Sequence, residues 1–230
     1  MILERFSLSG KTALITGAAR GIGFAIAQAF TEAGAKIIIA DRDQAQGATA
    51  AATLGRAAEF IALDVSDAAA IRAAAAEFRR RHFPIDILVN NAAICLLGDA
   101  LSTTDETWRQ HMAINLDGLF YCCREFGRHM VEAKRGTIVN IASIAALIEP
   151  RPQHHIAYSA SKGAVAPGYT ATELALTAGR ELVKEWLPHI PMGRLMDPAE
   201  IAATVLFFAS EASSGLTGTM LAVDGGYTVL

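Results

Sequence analysis

Thr16-Gly17-Ala18-Ala19-Arg20-Gly21-Ile22-Gly23 sets three glycines between the short apolar run Ala13-Leu14-Ile15 and the apolar positions Phe24, Ile26, Ala27 and Phe30. The first run suits a strand and the second a helix buried along one stripe. Glycines between them let the backbone turn tightly, approach a phosphate with no Cβ in the way, and pack the helix against the strand, with the helix N-terminus facing the anion. Alone, this pattern describes a turn in many α/β proteins. A second apolar run, Lys36-Ile37-Ile38-Ile39-Ala40, ends in Asp41, twenty residues after Gly21. A carboxylate there is placed to accept hydrogen bonds from ribose hydroxyls, and the two segments together read as a dinucleotide site.

Outward from that site, strand-like runs recur at 13–15, 37–40, 59–63, 85–90, 137–142 and 219–223, with Ala-rich helical stretches such as 45–54 and 68–81 between them. Alternating strand and helix predicts a single-domain α/β chain over residues 1–230, a Rossmann-type doubly wound parallel sheet with ligand at the carboxyl ends of its strands. Residues 101–130 are expected to hold two helices with Asn115 midway, and Trp108 is expected in the core. The 230 residues are 52% hydrophobic, enough for a substantial core, and carry 20 basic and 23 acidic side chains for a net charge of −3. No basic run suggests nucleic acid, no apolar stretch suits a bilayer, and Met1-Ile2-Leu3-Glu4-Arg5 lacks the layout of a signal peptide, so the cytoplasm is the expectation. Cys95, Cys122 and Cys123 contain no C-x-x-C and fit reduced thiols.

Tyr158 and Lys162 stand four apart in Tyr158-Ser159-Ala160-Ser161-Lys162, downstream of a strand-like run that ends at Ser143. On a helix they share a face. A phenol left alone titrates near 10, and a neighbouring cation favours its phenolate, so the pair reads as a proton-transfer device in which Lys162 lowers the pKa of Tyr158.

With these segments in view the chain resembles the short-chain dehydrogenase/reductase superfamily nearly end to end. Thr16-Gly17-x3-Gly21-Ile22-Gly23 matches its cofactor motif, Asp64-Val65 its adenine-contacting pair, and Asn90-Asn91-Ala92-Ala93 its Asn-Asn-Ala-Gly turn, with Ala93 where Gly is usual. Asn115, Ser143, Tyr158 and Lys162 match the catalytic tetrad in order, and Pro167-Gly168 the loop beside the nicotinamide. The stretches Thr107-Trp108-Arg109-Gln110, Phe126-Gly127-Arg128, Arg151-Pro152-Gln153 and Leu221-Ala222-Val223-Asp224-Gly225-Gly226-Tyr227 look like bacterial polyol dehydrogenases of the galactitol type. The resemblance implies hydride transfer between a secondary alcohol and NAD. Tyr158 would serve as acid/base, Ser143 would hold the substrate oxygen, Lys162 the ribose, and Asn115 a proton-resupplying water chain. It implies cofactor contacts at Gly17, Arg20, Gly21, Ile22, Gly23, Asp41, Asp64, Val65, Asn91, Tyr158, Lys162, Pro167, Gly168, Thr170 and Thr172, a substrate lid at about 173–192 that includes Trp186, a small alcohol or ketone as partner, and a homotetramer.

One place departs from the family. Gly163-Ala164-Val165 is followed at once by Ala166-Pro167-Gly168, whereas the superfamily has roughly twenty residues here, the rest of a helix and a central strand. Pro167 cannot continue a helix interior, and the residue before it is biased to extended geometry. Either the chain has a deletion at 165/166 or a segment is absent from the sequence. Asp41 suits NAD and would repel a 2′-phosphate, although Arg20 and Arg42 would welcome one. His154-His155 lacks a spaced carboxylate and is not expected to bind metal. The rival readings are an NADPH-dependent 3-oxoacyl thioester reductase, which Asp41 disfavours, and a non-catalytic dinucleotide-binding protein, which a true deletion would favour.

Overall fold

The computed structural model describes residues 1–81, 83–146, 156–162, 166–167, 170–172 and 180–229. Five parallel strands, β1 (Thr12–Thr16), β2 (Lys36–Asp41), β3 (Ala58–Ala62), β4 (Ile87–Asn90) and β5 (Thr137–Asn140), form one sheet in the order β3-β2-β1-β4-β5. All five residues of β1 are buried, as expected of a strand covered on both faces. The chain runs outward from β1 to β3, returns, and runs the other way through β4 and β5. The carboxyl ends of β1 and β4 therefore flank the switch point where ligands bind in such sheets.

Helices cover both faces of this single-domain α/β fold. On one side α1 (Gly21–Glu32) packs against α8 (Pro198–Ala209) around Ile26, Phe30, Ile201 and Val205, which are fully buried. On the other, α3 (Ala68–Arg80) lies against α5 (Gly118–Ala133), sharing Ile71, Phe78, Cys122 and Phe126. The starts of α2 (Gln44–Leu54) and α3 are set by aspartates: Asp43 accepts from the Gln46 amide at 3.0 Å, and Asp67 from the Ala69 amide at 2.8 Å.

Three findings depart from expectation. The stretch expected to hold two helices is one helical run, α4 (Asp105–His111), a π-helical segment over Met112–Asp117, and α5, with Asn115 in the π segment. Trp108, expected in the core, is 42% exposed, because α4 turns His111 inward instead. The strand-like run at 219–223 does not join the main sheet. Its β7 (Ala222–Val223) pairs with β6 (Ala166–Pro167) in a separate two-stranded ribbon, which among the described residues leaves β5 at the edge of the main sheet with Ile138 38% exposed. Val165, Gly168, His154, His155 and Arg151-Pro152-Gln153 lie outside the described residues, as do 173–179 of the expected lid. The rest of that stretch carries α7 (Arg180–Trp186), whose Trp186 is buried.

Candidate active site

The glycine turn is held by side chains from neighbouring strands. Gly17 has φ +63°, and a Cβ on it would sit 2.7 Å from the Cα of Ala92, so this residue answers both to backbone conformation and to close approach. A Cβ on Gly23 would strike the Gly17 carbonyl and the Asn91 side chain. Asn91 gives both hydrogens of its amide to the turn, to Thr16 O at 3.0 Å and Gly17 O at 2.9 Å, while Thr16 Oγ1 accepts from the Asn91 and Ala92 amides. At the end of β2, Asp41 accepts from the Ala19 amide at 3.0 Å and the Asp43 amide at 3.0 Å. Each carboxylate oxygen still has a lone pair to offer a hydroxyl.

A cavity of about 250 Å³ opens at this switch point, lined among others by Gly17, Arg20, Asp41, Asp64, Val65 and Asn91. The residues fit a dinucleotide: a turn that would not admit a Cβ, the amino end of α1, and a carboxylate with acceptor sites to spare. Val65 is buried in the wall, whereas the Asp64 carboxylate is turned to the Ser66 amide and hydroxyl at 2.8 and 2.7 Å. Thr172 reaches the same turn, its methyl 3.6 Å from where a Gly21 Cβ would lie. Thr170 is buried and bridges to Met196. Ile22, in the first turn of α1, packs against the core, and Pro167 lies in the ribbon.

Beyond β5 the second cluster assembles. The short helix α6 (Ile156–Ser161) carries Tyr158, and Lys162 follows its last residue. Tyr158 shares a hydrogen bond with Ser143. Lys162 donates from Nζ to the Ile141 carbonyl at 2.9 Å, with Nζ 5.9 Å from the centre of the Tyr158 ring. Burial pushes the Tyr158 phenol up to about 12, against the opposing effect of the Ser143 hydrogen bond. Burial likewise pushes Lys162 down to about 8. Desolvation thus outweighs the expected lowering of the phenol by its cation, since taking either charge out of water costs more than their mutual attraction returns.

Asn115 joins this cluster from the π segment. Its side-chain amide donates to Ile94 O at 2.9 Å and to Ser161 Oγ at 3.0 Å, and its carbonyl accepts from the Ile94 amide at 2.9 Å. Ser161 in turn donates to Tyr158 O at 2.8 Å. The loop after β4 at Ile94, Asn115 and the helix of Tyr158 are therefore tied in one hydrogen-bonded chain. Ser161 and the Ile141 carbonyl were missed in the sequence; Ser161 stands three residues from Tyr158, a spacing that could have flagged it. No metal-binding cluster occurs among the described residues. A hydroxyl hydrogen-bonded to a phenol, a cation nearby and an adjoining dinucleotide-shaped cavity can together move a proton at an oxygen-bearing carbon.

Comparison with known proteins agrees with this geometry. The family described as short chain dehydrogenase matches residues 11–181, and one described as enoyl-(acyl carrier protein) reductase matches 163–228. Galactitol 2-dehydrogenase (L-tagatose-forming) of Cereibacter sphaeroides is 48% identical over 248 aligned positions, covering 97% of each chain. Since 97% of 230 residues is about 223, about 25 of those positions carry no residue of this chain. D-threitol dehydrogenase of Mycolicibacterium smegmatis is 41% identical, covering 97% of this chain and 95% of its own. The crystal structure of a gluconate 5-dehydrogenase from Burkholderia cenocepacia J2315, in complex with NADP and tartrate, superposes with a TM-score of 0.93 at 36% identity over all of both chains. With the motifs in order, the sheet of the right topology and relatives matched along nearly their whole length, the chain belongs to the short-chain dehydrogenase family.

Proposed function

We propose that this oxidoreductase moves a hydride between a secondary alcohol, specifically a polyol or sugar alcohol, and NAD, with Tyr158 as the acid/base. The observation that carries the reading is the convergence of Tyr158, Ser143 and Lys162 beside a cavity closed by Asp41. NAD, when bound, supplies the hydride acceptor or donor. The chain's own residues do the rest. Gly17, Arg20, Gly21, Ile22, Gly23 and Thr172 would hold the pyrophosphate side, Asp41 the adenosine ribose, Asp64 and Val65 the adenine, and Asn91, Pro167, Gly168 and Thr170 the far side. Lys162 would bind the second ribose. Ser143 would orient the substrate oxygen and stabilise charge on it as it develops. With its phenol protonated in the free chain, Tyr158 stands ready to give a proton to a carbonyl; the oxidative direction requires its pKa to fall on assembly of the complex.

Asp41 supports NAD over NADP, since a carboxylate at the ribose repels a 2′-phosphate, and this also sets the chain apart from an NADPH-dependent 3-oxoacyl thioester reductase. The similarity to galactitol and threitol dehydrogenases supports the polyol. Residues 173–192 would form the lid over the substrate. We propose assembly as a homotetramer, which the exposed apolar positions Leu116, Phe120 and Val131 along the π segment and α5 support, and residence in the cytoplasm. Tyr158→Phe is expected to lower turnover of polyols with NAD by ~10²–10⁴ while NAD binding persists, because the proton-transfer oxygen is lost and little else. Steady-state rates on C4 to C6 sugar alcohols, with NAD affinity followed separately, test this; more than about a tenth of wild-type turnover in the variant would remove Tyr158 from the role.

A further inference from the structure

His111 is fully buried four residues before Asn115, on a helix whose other members at that end are exposed. Its Nδ1 lies 2.8 Å from Thr107 O, and its Nε2 accepts from the Leu96 amide at 3.1 Å. A carbonyl can only accept, so the hydrogen sits on Nδ1 and Nε2 presents its lone pair to Leu96. Asn115 meanwhile grips Ile94 through both its amide and its carbonyl. The two side chains hold the segment Ile94-Cys95-Leu96 from either side of Cys95. Cys95 lies close enough to Tyr158 and Lys162 for its thiol to couple electrostatically to both. Ile94 also lines the dinucleotide cavity, and Leu96 and Leu97 are exposed immediately beyond. The segment thus runs from the cofactor cavity past the proton-transfer pair to open surface, where the carbon skeleton of an alcohol held at Tyr158 would lie.

We infer that His111 is a positioning residue for substrate: through its bond to the Leu96 amide it fixes Cys95 and Leu96 as one wall of the alcohol site. This rests on the dehydrogenase reading above. Asn115 fixes the start of the wall and the helix of Tyr158, and His111 fixes its outer end, so loss of His111 is felt at the substrate rather than at the proton-transfer atoms. The relevant contact is a single acceptor, which separates two conservative replacements. His111→Gln places an amide oxygen within reach of the Leu96 amide. His111→Asn reaches only the Thr107 side.

The expected result for His111→Asn is a KM for the polyol raised about tenfold, the size of one buried hydrogen bond, with kcat and the KM for NAD within about threefold of wild type, and for His111→Gln a KM restored to within about threefold. A second readout does not depend on turnover: alkylation of Cys95 by iodoacetamide, followed by peptide mass spectrometry with fully buried Cys122 as internal standard, should quicken about tenfold in His111→Asn and not in His111→Gln. If wild type turns over no alcohol with either cofactor, the dehydrogenase reading fails while the labelling still decides the role of His111. Equal KM and equal labelling in the two variants, a rise in the KM for NAD as large as that for substrate, or failure of both to fold would overturn the inference.

Discussion

Lys162 brings an ammonium into a site where burial pushes its pKa from 10.5 down to about 8. Between those values the unfolded chain holds the proton and the folded chain releases it, so stability from this group rises with pH across that window; at neutral pH both states are protonated and the folded chain bears the whole cost. At ~1.4 kcal/mol per pKa unit that cost is on the order of 3 kcal/mol. Lys162→Met, which keeps the stem, is expected to be more stable than wild type at pH 7, by up to ~3 kcal/mol less whatever the Ile141 bond contributes, with the advantage gone near pH 10.5. Urea unfolding at the two pH values checks this, and a variant less stable at pH 7 would contradict it. At the other end of the site, Asp41→Ala removes a ribose acceptor and a charge that repels phosphate, leaving Arg42 on the cavity wall. The ratio of kcat/KM for NADP to that for NAD is expected to rise by at least about tenfold, since hydrogen bonds to charged groups contribute ~1.5–3 kcal/mol; an unchanged ratio would detach Asp41 from the ribose. Tyr158, Lys162 and Asp41 were legible in the sequence because local spacing alone brings each to its place. His111 and Cys95 were not, because their meaning lies in contacts between the loop at 94–96 and elements fifteen or more residues away.

The π segment at Met112–Asp117 is the element that sets the site's geometry. Such segments are rare and concentrate at functional sites. Two helices were expected around Asn115, because sequence periodicity registers a phase change but not whether the chain breaks there. What holds the run together is the pair of buried side chains, His111 and Asn115, bonded to the same loop from either side of the phase shift. Deleting Ala113 would let the helix become regular, since the wider π turn holds one residue more than an α turn, and would bring His111 and Asn115 one residue closer along it. Helical content by circular dichroism is expected to stay near that of wild type, while the KM for the polyol rises by at least about tenfold as His111 leaves Leu96. A deletion variant with full activity would show that the phase shift has no bearing on the site.

At the scale of the whole molecule, a parallel, doubly wound sheet was readable from the alternation of strand and helix, but the place of the last strand was not. Pairing across a sheet is fixed by what lies between strands, and here Lys162 and Ala166 stand only four positions apart. We propose that about twenty residues which the superfamily keeps after Val165 belong between α6 and β6, where they would cover Ile138 and give the bare edge of β5 a partner. At the chain's own mean residue mass they would add about 2 kDa to 24.3 kDa, so intact-mass measurement of the natural protein decides, and a mass matching the 230 residues would sink the proposal. The two faces of the sheet also differ in when their components leave the ribosome. Among the described residues the cluster shared by α3 and α5 draws on positions 14–130, whereas the opposite cluster needs Ile190, Met196, Ile201, Val205 and Tyr227 to cover α1. At translation rates of about 5–20 residues per second, several seconds separate the two events. Throughout that interval one half of the molecule is finished and the other shows Ile26 and Phe30 to solvent or to a chaperone, so the growing chain carries a single sticky side, and it is the side that α8 will close.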